Sequence, residues 1–552
     1  MRQRLPTGAL LRWLSFLVLL TVLVEMRPGR LYQMLTYLLF QDSVSNLLLF
    51  LLCLGLTELA LLALLLNRNP WLYRLTLLAW APCLLVSLTY RFITGYNFMY
   101  ADAVLAWNNL SLTFTAAQNY AGPLLLAALS TLVILLLVQV ARKKSSFRTA
   151  PSAGLLLVLA AIAAYAQIKW STGIVDDFPA LYRVPLTLTA AATDQLPQPE
   201  RKPVTVSPVS QGVPHLFLVV DESITATELT LYHPAKLTTP FLASVKDQFL
   251  DYGIACSFAN QSASSNIALM SGTRLSEIPD TTAHTFYRST IFQFAKKAGY
   301  KTYYIDAQLG GSLTLQNFMS PEDLKSIDHL VRPAALHPDL PYDQRDVLVA
   351  QELARLAKQP TKIFAYVVKA GAHWPYARTY PADSAFFQPV LAPRSLYKDP
   401  VRTLNTYHNS LRWTVDEFWR RLLHTISPQD STVIVYTSDH GQNLTQAGIS
   451  LSHASVYETS AQEATVPLWL WDPAHLSSVD QVPQKHIYHH AQIFPTLLQL
   501  QGYSPAWVKE QYGFSLLDTP PVTPPKRYFL SGDLFGRGPH ALVPFKIFDS
   551  RR

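Results

Sequence analysis

Long apolar segments near the start of this chain restrict its fold more than any other feature. Runs such as LLLFLLCLGLTELALLALLL are about as long as a helix that crosses a hydrocarbon layer of roughly 30 Å. They predict five transmembrane helices, at residues 9–26, 46–66, 72–92, 122–141 and 153–169. A cleaved signal peptide is the alternative for the first segment, but it lacks a small-x-small cleavage site and more spans follow it. The rest of the chain has the composition of a water-soluble protein.

The basic residues between these segments indicate how the chain crosses the membrane. An odd number of spans places the two chain ends on opposite sides, and Lys and Arg accumulate in cytoplasmic loops. The basic residues that fall on one side are Arg2, Arg4, Arg68, Arg74, Arg142, Lys143, Lys144 and Arg148. We therefore expect the large C-terminal part to lie outside the cytoplasmic membrane. The aromatic-rich outer loop, residues 94–120, is expected to lie along the interface.

Charge and cysteine content exclude two other kinds of protein. The net charge of +8 comes in good part from the predicted cytoplasmic loops, so it does not indicate a nucleic-acid partner, and we expect none. Of the three cysteines, Cys53 and Cys83 lie in predicted spans and only Cys256 lies in the C-terminal part. An intrachain disulfide framework is therefore excluded there, and packing or a bound metal must stabilise that part.

The order of apolar runs after the spans predicts an α/β domain. Residues 171–213 are predicted to be a linker, and the second half of this linker is rich in proline and polar residues. After it, short apolar runs such as HLFLVV alternate with helical patterns, which is typical of a mainly parallel central sheet. We thus predict an α-helical membrane anchor over 1–170 and an α/β domain over 214–552. In such sheets, functional sites gather at the carboxyl ends of the strands.

Potential metal ligands and acid–base groups follow several of the predicted strands. These groups are Asp221-Glu222-Ser223, Asp306, Gly371-Ala372-His373 and Ser438-Asp439-His440. An adjacent carboxylate and imidazole, followed by a glycine that permits a tight turn, can both reach one metal ion such as Zn²⁺. A polar loop that caps the next helix is the alternative for an isolated Asp-His-Gly. The combination of these segments favours a metal site.

A serine-rich segment opens a predicted helix at residue 262. A hydroxyl at a helix N-terminus faces unpaired N–H groups and the positive end of the helix dipole, so it can bind a phosphate and ionise next to a metal. The segment Ser262–Gly272 begins with three serines within four residues. The alternative is a serine that only caps the helix, which is the commoner case for such a residue alone.

The order of these motifs resembles the alkaline phosphatase and sulfatase superfamily, in particular the membrane-bound phosphoethanolamine transferases that modify lipid A and related envelope glycans. The resemblance extends from residue 214 to about 500 and includes the five-span anchor. The sulfatase signature, a nucleophile followed by x-Pro-Ser-Arg-x-x-Leu-x-Thr-Gly, aligns without gaps with residues 262–272, where Ser265, Leu269 and Gly272 match. The resemblance therefore places Ser262 at the position of the nucleophile.

The resemblance implies roles for five further residues. Glu222 matches the acidic metal ligand of a strand-end motif of the family, and Asp439 and His440 match its Ser-Asp-His-Gly metal pair. His373 corresponds to the histidine of a Ser-His-Gly-Pro-x-Tyr motif, and His453 corresponds to a later Leu-x-His-Gly histidine. These two histidines are expected to hold phosphoryl oxygens, a second metal or the leaving group.

Some positions depart from the family pattern. Asp221 stands where the family usually has glycine, and we treat it as a reserve metal ligand. Gln442 and Ala454 replace a glutamate and a glycine, and no lysine matches the one that some members have after the strand ending at Asp306. A second metal site and the identity of the acceptor therefore stay open.

Together, these features predict a metal-dependent transfer of phosphoethanolamine from a membrane phospholipid to an envelope lipid or glycan acceptor, through a serine-bound intermediate. Zn²⁺, or failing that Mn²⁺, is expected at Glu222, Ser262, Asp439 and His440, with Ser262, His373 and His453 as catalytic residues. The implied location is a bacterial inner membrane, with the catalytic domain in the periplasm. The alternatives are a membrane-anchored sulfatase or phosphodiesterase, a glycerol-phosphate transferase and a non-catalytic scaffold.

Overall fold

A computed structural model of the chain describes most of the C-terminal part and the central N-terminal helices. The described residues are 44–94, 120–145, 148–150, 178–193, 199–308, 317–337, 339–392, 399–444, 453–454, 459–477, 483–523, 525–532, 534–536 and 540–546, with short pieces at 12–16, 20, 32, 35, 97–98, 103 and 158–162. The chain divides into two compact units, with the main boundary between Gln195 and Leu196.

Three described helices of the N-terminal unit are long and apolar enough to cross a membrane. They are α1 (Val44–Leu65), α2 (Pro70–Thr94) and α3 (Ala121–Lys144), and they correspond to the second, third and fourth predicted spans. Arg142 near the end of α3 donates to the carbonyl of Asn67 just after α1 at 2.6 Å, so these two basic loops lie on the same side, as predicted. The spans predicted at 9–26 and 153–169 fall largely outside the described residues.

A further helix, α4 (Ala180–Thr193), lies within the segment that the sequence predicts to be a linker. The side chains of Val184, Thr187 and Ala191 are buried, because apolar and small residues recur along one side of this helix. The linker prediction is therefore wrong for these residues. Residues 199–213 contain no helix or strand, as the prediction of an extended segment requires.

Seven strands form the central sheet of the C-terminal unit. They are β1 (His215–Asp221), β2 (Phe249–Cys256), β3 (Lys301–Asp306), β4 (His329–Val331), β5 (Ile363–Val368), β6 (Thr432–Ser438) and β7 (Thr465–Trp471). Their spatial order is β2-β7-β6-β1-β5-β3-β4. Within this sheet β7 is antiparallel to both of its neighbours, and every other neighbouring pair is parallel. The predicted mainly parallel α/β fold is confirmed.

Helices cover both faces of this sheet. They are α5 (Ser262–Ser271), α6 (Ile291–Lys297), α7 (Arg345–Ala357), α8 (Pro400–Leu411), α9 (Phe418–Leu423), α10 (Ile493–Leu500) and α11 (Pro505–Tyr512), and a hairpin of β8 (Tyr528–Gly532) and β9 (His540–Pro544) follows. A π-helical turn, Arg412–Glu417, joins α8 to α9. In β1, Leu216 and Leu218 pack with α5, α6 and α10, whereas Phe217 and Val219 pack with α7, α8 and α9. This alternation follows from the two-residue period of a strand.

The carboxyl ends of three central strands meet at one edge of the sheet, which we call the carboxyl edge. Asp221 at the end of β1 lies opposite Ser438 at the end of β6. On the other side of β1, Val220 lies opposite Val368 at the end of β5. The segments that begin at Glu222, Lys369 and Asp439 therefore leave the sheet next to one another.

Candidate metal centre and active site

Three buried side chains from two neighbouring strand ends converge at the carboxyl edge. Glu222 directly follows β1, and Asp439 and His440 directly follow β6. One potential ligand atom from each of the three lies within 4.8 Å of the others. Among the described residues, this is the one cluster of three such ligands. The structure therefore brings together the three residues that the sequence predicts to bind a metal.

The turn after β1 holds the Asp439 carboxylate in place. Asp439 Oδ1 accepts the backbone N–H of Ser223 at 2.9 Å and that of His440 at 2.7 Å. Ser223 has a φ of 64°, which few non-glycine residues adopt. Such backbone strain is typical of functional sites, where the surrounding structure enforces it.

The His440 ring is oriented with one nitrogen toward the two carboxylates. Its Nδ1 lies 2.8 Å from the carbonyl oxygen of Gly441, and because a carbonyl can only accept, Nδ1 must carry a hydrogen. In the neutral ring, Nε2 is then free to act as a ligand. Nε2 lies 3.5 Å from Glu222 Oε1 and 3.7 Å from Asp439 Oδ2. A hydrogen bond from the other ring nitrogen to a carbonyl is the usual way to orient a metal-binding histidine.

The charges of this cluster lack a compensating partner. Asp439 Oδ2 is buried and has no hydrogen-bond partner among the described residues. Burial and the neighbouring Glu222 raise the pKa of Asp439 to about 7, and burial also raises the pKa of Glu222. A divalent cation would supply the missing partner and favour the ionised carboxylates. Two carboxylates and one imidazole suit Zn²⁺ or Mn²⁺, so the residues present fit such an ion.

Ser262 extends this cluster from the start of α5. Its Oγ donates to Glu222 Oε2 at 3.1 Å and lies 3.3 Å from His440 Nε2. The two neighbouring serine hydroxyls bind elsewhere: Ser264 Oγ accepts from Gln261, and Ser265 Oγ donates to the Ala259 carbonyl, both at 3.2 Å. Ser262 is therefore the serine of this segment whose hydroxyl contacts the candidate metal ligands.

The two further predicted histidines also lie at the carboxyl edge. The N–H of Ala372 donates to the carbonyl of Glu222 at 3.0 Å, and His373 is the next residue. The His453 ring stacks on the His440 ring with 4.4 Å between their centres. The structure thus brings His453 into direct contact with a candidate metal ligand and His373 next to the segment that carries another.

Asp221, the reserve ligand of the sequence prediction, is bound to other partners. Its Oδ2 pairs with the buried Lys369 Nζ at 2.5 Å and accepts from the Tyr436 hydroxyl at 2.6 Å. Burial raises the pKa of Asp221, and Lys369 acts in the opposite direction. Because an ion pair already satisfies this carboxylate, the prediction of a reserve ligand is wrong. Nothing in the sequence distinguishes Lys369 from an exposed lysine at a strand end.

Gln308 is a site residue that the sequence analysis missed. Its Nε2 donates to Glu222 Oε2 at 2.7 Å and to the carbonyl of Lys369 at 3.1 Å. Asp306, named among the strand-end candidates, accepts the N–H of Gln308 at 2.9 Å and does not belong to the three-ligand cluster. The signal in the sequence was the position of Gln308, two residues after a strand that ends at the carboxyl edge.

The two departures from the family pattern have different surroundings. Gln442 is buried, and its side-chain amide has no hydrogen-bond partner among the described residues. Ala454 has a φ of 56°, a conformation that favours glycine, and its N–H donates to the carbonyl of Asn260 at 3.0 Å. The backbone next to His453 is thus held in the form that a glycine would adopt.

Comparison with known proteins places this site in a family. The sequence model of the Sulfatase family matches residues 214–503, which is more than half of the 552 residues. The chain belongs to the Sulfatase family. The matched range of this Sulfatase-family chain runs from β1 to α10 and contains every residue of the candidate site.

We compare this Sulfatase-family chain with three of the proteins to which it is similar. YhbX of Escherichia coli (strain K12) is 24% identical over 289 residues, which are 51% of this chain and 47% of YhbX, so the chain spans about half the length of this curated relative. The structure of integral membrane protein lipooligosaccharide phosphoethanolamine transferase A (EptA) from Neisseria meningitidis is similar with a TM-score of 0.62 and 18% identity, over 91% of this chain and 98% of EptA.

The third is the C-terminal periplasmic domain of EcEptC from Escherichia coli in complex with Zn, which is similar with a TM-score of 0.52 and 18% identity, over 63% of this chain and 98% of that domain. At these identities, the two structures show a shared alkaline-phosphatase-type fold.

Proposed function

We propose that this chain transfers phosphoethanolamine from a membrane phospholipid to an envelope lipid or glycan. The observation that carries the proposal is the Ser262 hydroxyl, which lies within 3.3 Å of both Glu222 and His440 at a buried, uncompensated acidic cluster. A hydroxyl in such a place is suited to nucleophilic attack on phosphorus. EptA, whose fold this chain shares over 91% of its length, is a lipooligosaccharide phosphoethanolamine transferase, which supports the choice of transferred group.

The metal of this site would be Zn²⁺, or else Mn²⁺, held by Glu222, Asp439, His440 and the Ser262 oxygen. When bound, such an ion neutralises charge on phosphoryl oxygens and favours the ionised serine. The zinc complex of the EcEptC domain supports zinc as the first choice. Gln308 helps to hold the Glu222 carboxylate by donating to its Oε2, the same oxygen that accepts from Ser262.

In the first half of the reaction, the ionised Ser262 Oγ, whose proton has passed to water, forms a bond to the phosphorus of the donor as the bond to the diacylglycerol oxygen breaks. The N-terminal N–H groups of α5 face the developing negative charge, because Ser262 is the first residue of that helix. His453 and His373 are the candidates to protonate the leaving oxygen. His453 is the better placed of the two, since its ring stacks on His440.

In the second half, a hydroxyl of the acceptor attacks the phosphorus that is bound to Ser262. The histidine that gave its proton to the leaving group now accepts the proton of the acceptor hydroxyl. The bond from phosphorus to Ser262 Oγ breaks, and the serine is regenerated. The two halves therefore need the same histidine in opposite protonation states.

We further propose that five spans within residues 1–170 anchor the chain in a bacterial inner membrane, with a linker within 171–213 and residues 214–552 in the periplasm. The three described apolar helices and the basic residues at one end of α3 support this orientation. The similar C-terminal domain of EcEptC is periplasmic, which also supports this orientation. A lipid donor would then reach the enzyme from the membrane in which the enzyme is anchored.

The proposal is tested by mass spectrometry of envelope lipids and glycans from cells with the wild-type gene, with Ser262→Ala and without the gene. We expect an added phosphoethanolamine on a lipid or glycan in the wild type alone. Free phosphoethanolamine released to water, with no modified acceptor, would identify a hydrolase instead. An added glycerol phosphate would identify a glycerol-phosphate transferase.

A further inference from the structure

A second cluster of charged side chains is buried close to the candidate metal ligands. Lys369 directly follows β5 and is fully buried. Its Nζ lies 2.5 Å from Asp221 Oδ2 and 3.7 Å from Asp346 Oδ2. It also donates to the carbonyl of Thr414 and lies 4.0 Å from the centre of the Phe418 ring. One buried ammonium group is thus shared between two carboxylates.

The first of these carboxylates holds the backbone of a candidate metal ligand. Asp221 Oδ1 accepts the N–H of Glu222 at 2.9 Å, while its Oδ2 is bound to Lys369. Gly371 packs directly against this pair, since a Cβ at that position would lie 2.6 Å from Asp221 Oδ1 and 2.5 Å from the Glu222 carbonyl oxygen. The backbone of Glu222 is therefore fixed on both sides.

The second carboxylate holds the segment that leads to His373. Asp346, near the start of α7, accepts the N–H of Ala370 at 2.8 Å and that of Gly371 at 3.0 Å, with one oxygen for each. Ala372 then donates to the Glu222 carbonyl, and His373 follows. Asp346 thus determines where the chain leaves β5 on its way to the active site.

We propose that Lys369 is a positioning residue for the proposed reaction: through Asp221 it fixes the metal ligand Glu222, and through Asp346 it fixes the turn that carries His373. Without the ammonium group, two buried carboxylates would face each other uncompensated and would separate. Since the Glu222 and His373 segments are tied to these carboxylates, both segments would move. Substitution of a residue that orients a metal ligand typically lowers metal affinity or activity about 10–100-fold.

The local helix geometry agrees with this role. Thr414, whose carbonyl accepts from Lys369, belongs to the π-helical turn between α8 and α9. Such turns are rare and occur often at functional sites. The Phe418 ring just after this turn faces the same ammonium group. The turn therefore completes the set of groups that compensate Lys369.

Two substitutions test the roles of the two carboxylates of this cluster separately. In Asp221→Asn the amide can accept on one side only, so either the Glu222 N–H or Lys369 loses its acceptor; we expect the zinc dissociation constant to rise about 10–100-fold. In Asp346→Asn only one of the two N–H groups keeps its acceptor. We expect faster hydrogen exchange in the peptide 369–376 and a turnover about 10–100-fold lower, with zinc affinity within threefold of wild type.

Lys369→Met should change zinc affinity, exchange and turnover together. All measurements use the full chain in detergent micelles, with zinc affinity from competition against a chromophoric chelator. Asp280→Asn is the matched control, because Asp280 is also a buried carboxylate that accepts two consecutive N–H groups, those of His284 at 3.0 Å and Thr285 at 2.7 Å. It should lower the melting temperature and leave zinc affinity and turnover unchanged.

The outcomes distinguish this role from a purely structural one. If Asp221→Asn and Asp346→Asn lowered only the melting temperature, as Asp280→Asn is expected to do, the positioning role of Lys369 would be overturned. The expected change in turnover depends on the proposed function, whereas the expected changes in zinc affinity and hydrogen exchange do not. A wild type that binds zinc but transfers nothing would therefore refute the proposed function, and the other two measurements would still decide the role of Lys369.

Discussion

Two acidic clusters lie buried near each other at the carboxyl edge, and they differ in where their positive charge comes from. Asp221 and Asp346 share the ammonium group of Lys369. Glu222 and Asp439 have no lysine or arginine partner among the described residues; the His440 ring, the Ser262 hydroxyl and the Gln308 amide lie next to them, and one oxygen of Asp439 has no hydrogen-bond partner there. The chain supplies the positive charge of the first cluster, whereas in our proposal a bound cation supplies that of the second.

This difference separates a positioning role from a binding role. A buried carboxylate is tolerated when its charge is paired and its oxygens are hydrogen-bonded. Where the chain provides the pairing itself, the carboxylate is free to hold backbone, as Asp346 does. Where the chain provides no such partner, the buried carboxylates have an affinity for a metal ion instead.

The largest expected effect comes from removing the nucleophile at the uncompensated cluster. Ser262→Ala should lower the transfer rate by at least about 10⁴-fold, as loss of a nucleophile typically does, while zinc stays bound through the three remaining ligands, Glu222, Asp439 and His440. Peptide mapping of the enzyme incubated with donor and no acceptor should show the added mass on Ser262. Ser264→Ala is the control and should keep that mass. Modification of Ser264 or Ser265 would show that the ungapped alignment with the sulfatase signature is wrong.

The next effect is the loss of metal. Asp439→Ala removes a proposed metal ligand. It should weaken zinc binding by more than about 100-fold, the upper range for residues that only orient a ligand, and turnover should fall in parallel. Zinc content of the purified chain measures this. Asp328→Ala is the control, because Asp328 pairs with Lys296 at an exposed position. Full metal content in Asp439→Ala would mean that this carboxylate is not a ligand.

Neutralising one acid of each cluster in the metal-free protein should change stability in opposite directions. The folded-state pKa of Asp439, about 7, lies above its usual value of 3.8, so its ionisation disfavours the folded state, and metal-free stability falls as the pH rises from 3.8 toward 7. At pH 7.5, Asp439→Asn should therefore stabilise the metal-free chain by ~1–3 kcal/mol. Asp221→Asn breaks an ion pair and should destabilise it by about 3 kcal/mol.

Thermal melts in the presence of a chelator measure both changes. Two shifts of the same sign would show that the clusters do not differ in the way proposed here. Adding zinc supplies a second comparison, because it should stabilise the wild type and not Asp439→Asn.

The smallest expected effect is the pH dependence of zinc binding. Since the pKa of Asp439 is raised to about 7, a proton competes with the metal below that value. Between pH 8 and pH 6, the zinc dissociation constant should rise about tenfold from this group. Chelator competition at several pH values measures it. A constant that does not change over this range would show that Asp439 is already ionised in the metal-free protein.

The sequence predicts those parts of the fold and of the site that follow from short patterns of neighbouring residues. Glu222, Asp439 and His440 are recognisable because each directly follows a continuous apolar run, and parallel strands deliver such residues to one edge. Ser262 is recognisable from its spacing to Gly272 and from the helix that starts there. The structure brings these four residues together as their positions in the sequence imply.

What the sequence does not reveal depends on distant contacts. Lys369 and Asp346 are ordinary charged residues in the sequence, and only the folded chain shows that both are buried beside Asp221. Gln308 reaches Glu222 across 86 positions of the chain. The helix within the predicted linker, Ala180–Thr193, is missed because proline and polar residues nearby dominate the composition of that segment. In each case, contacts between segments that lie far apart in the chain decide the outcome.

The antiparallel direction of β7 has a consequence for how proteins of this fold diversify. Because β7 is antiparallel to β6, the connection from Asp439 to Ala464 begins and ends at the carboxyl edge and never has to cross the sheet. A connection between parallel strands must return to the opposite edge, which fixes its minimum length. The connection here carries His453, and insertions or deletions within it leave the strands in register. The length of this connection can therefore change while Glu222, Asp439 and His440 keep their positions at the carboxyl edge.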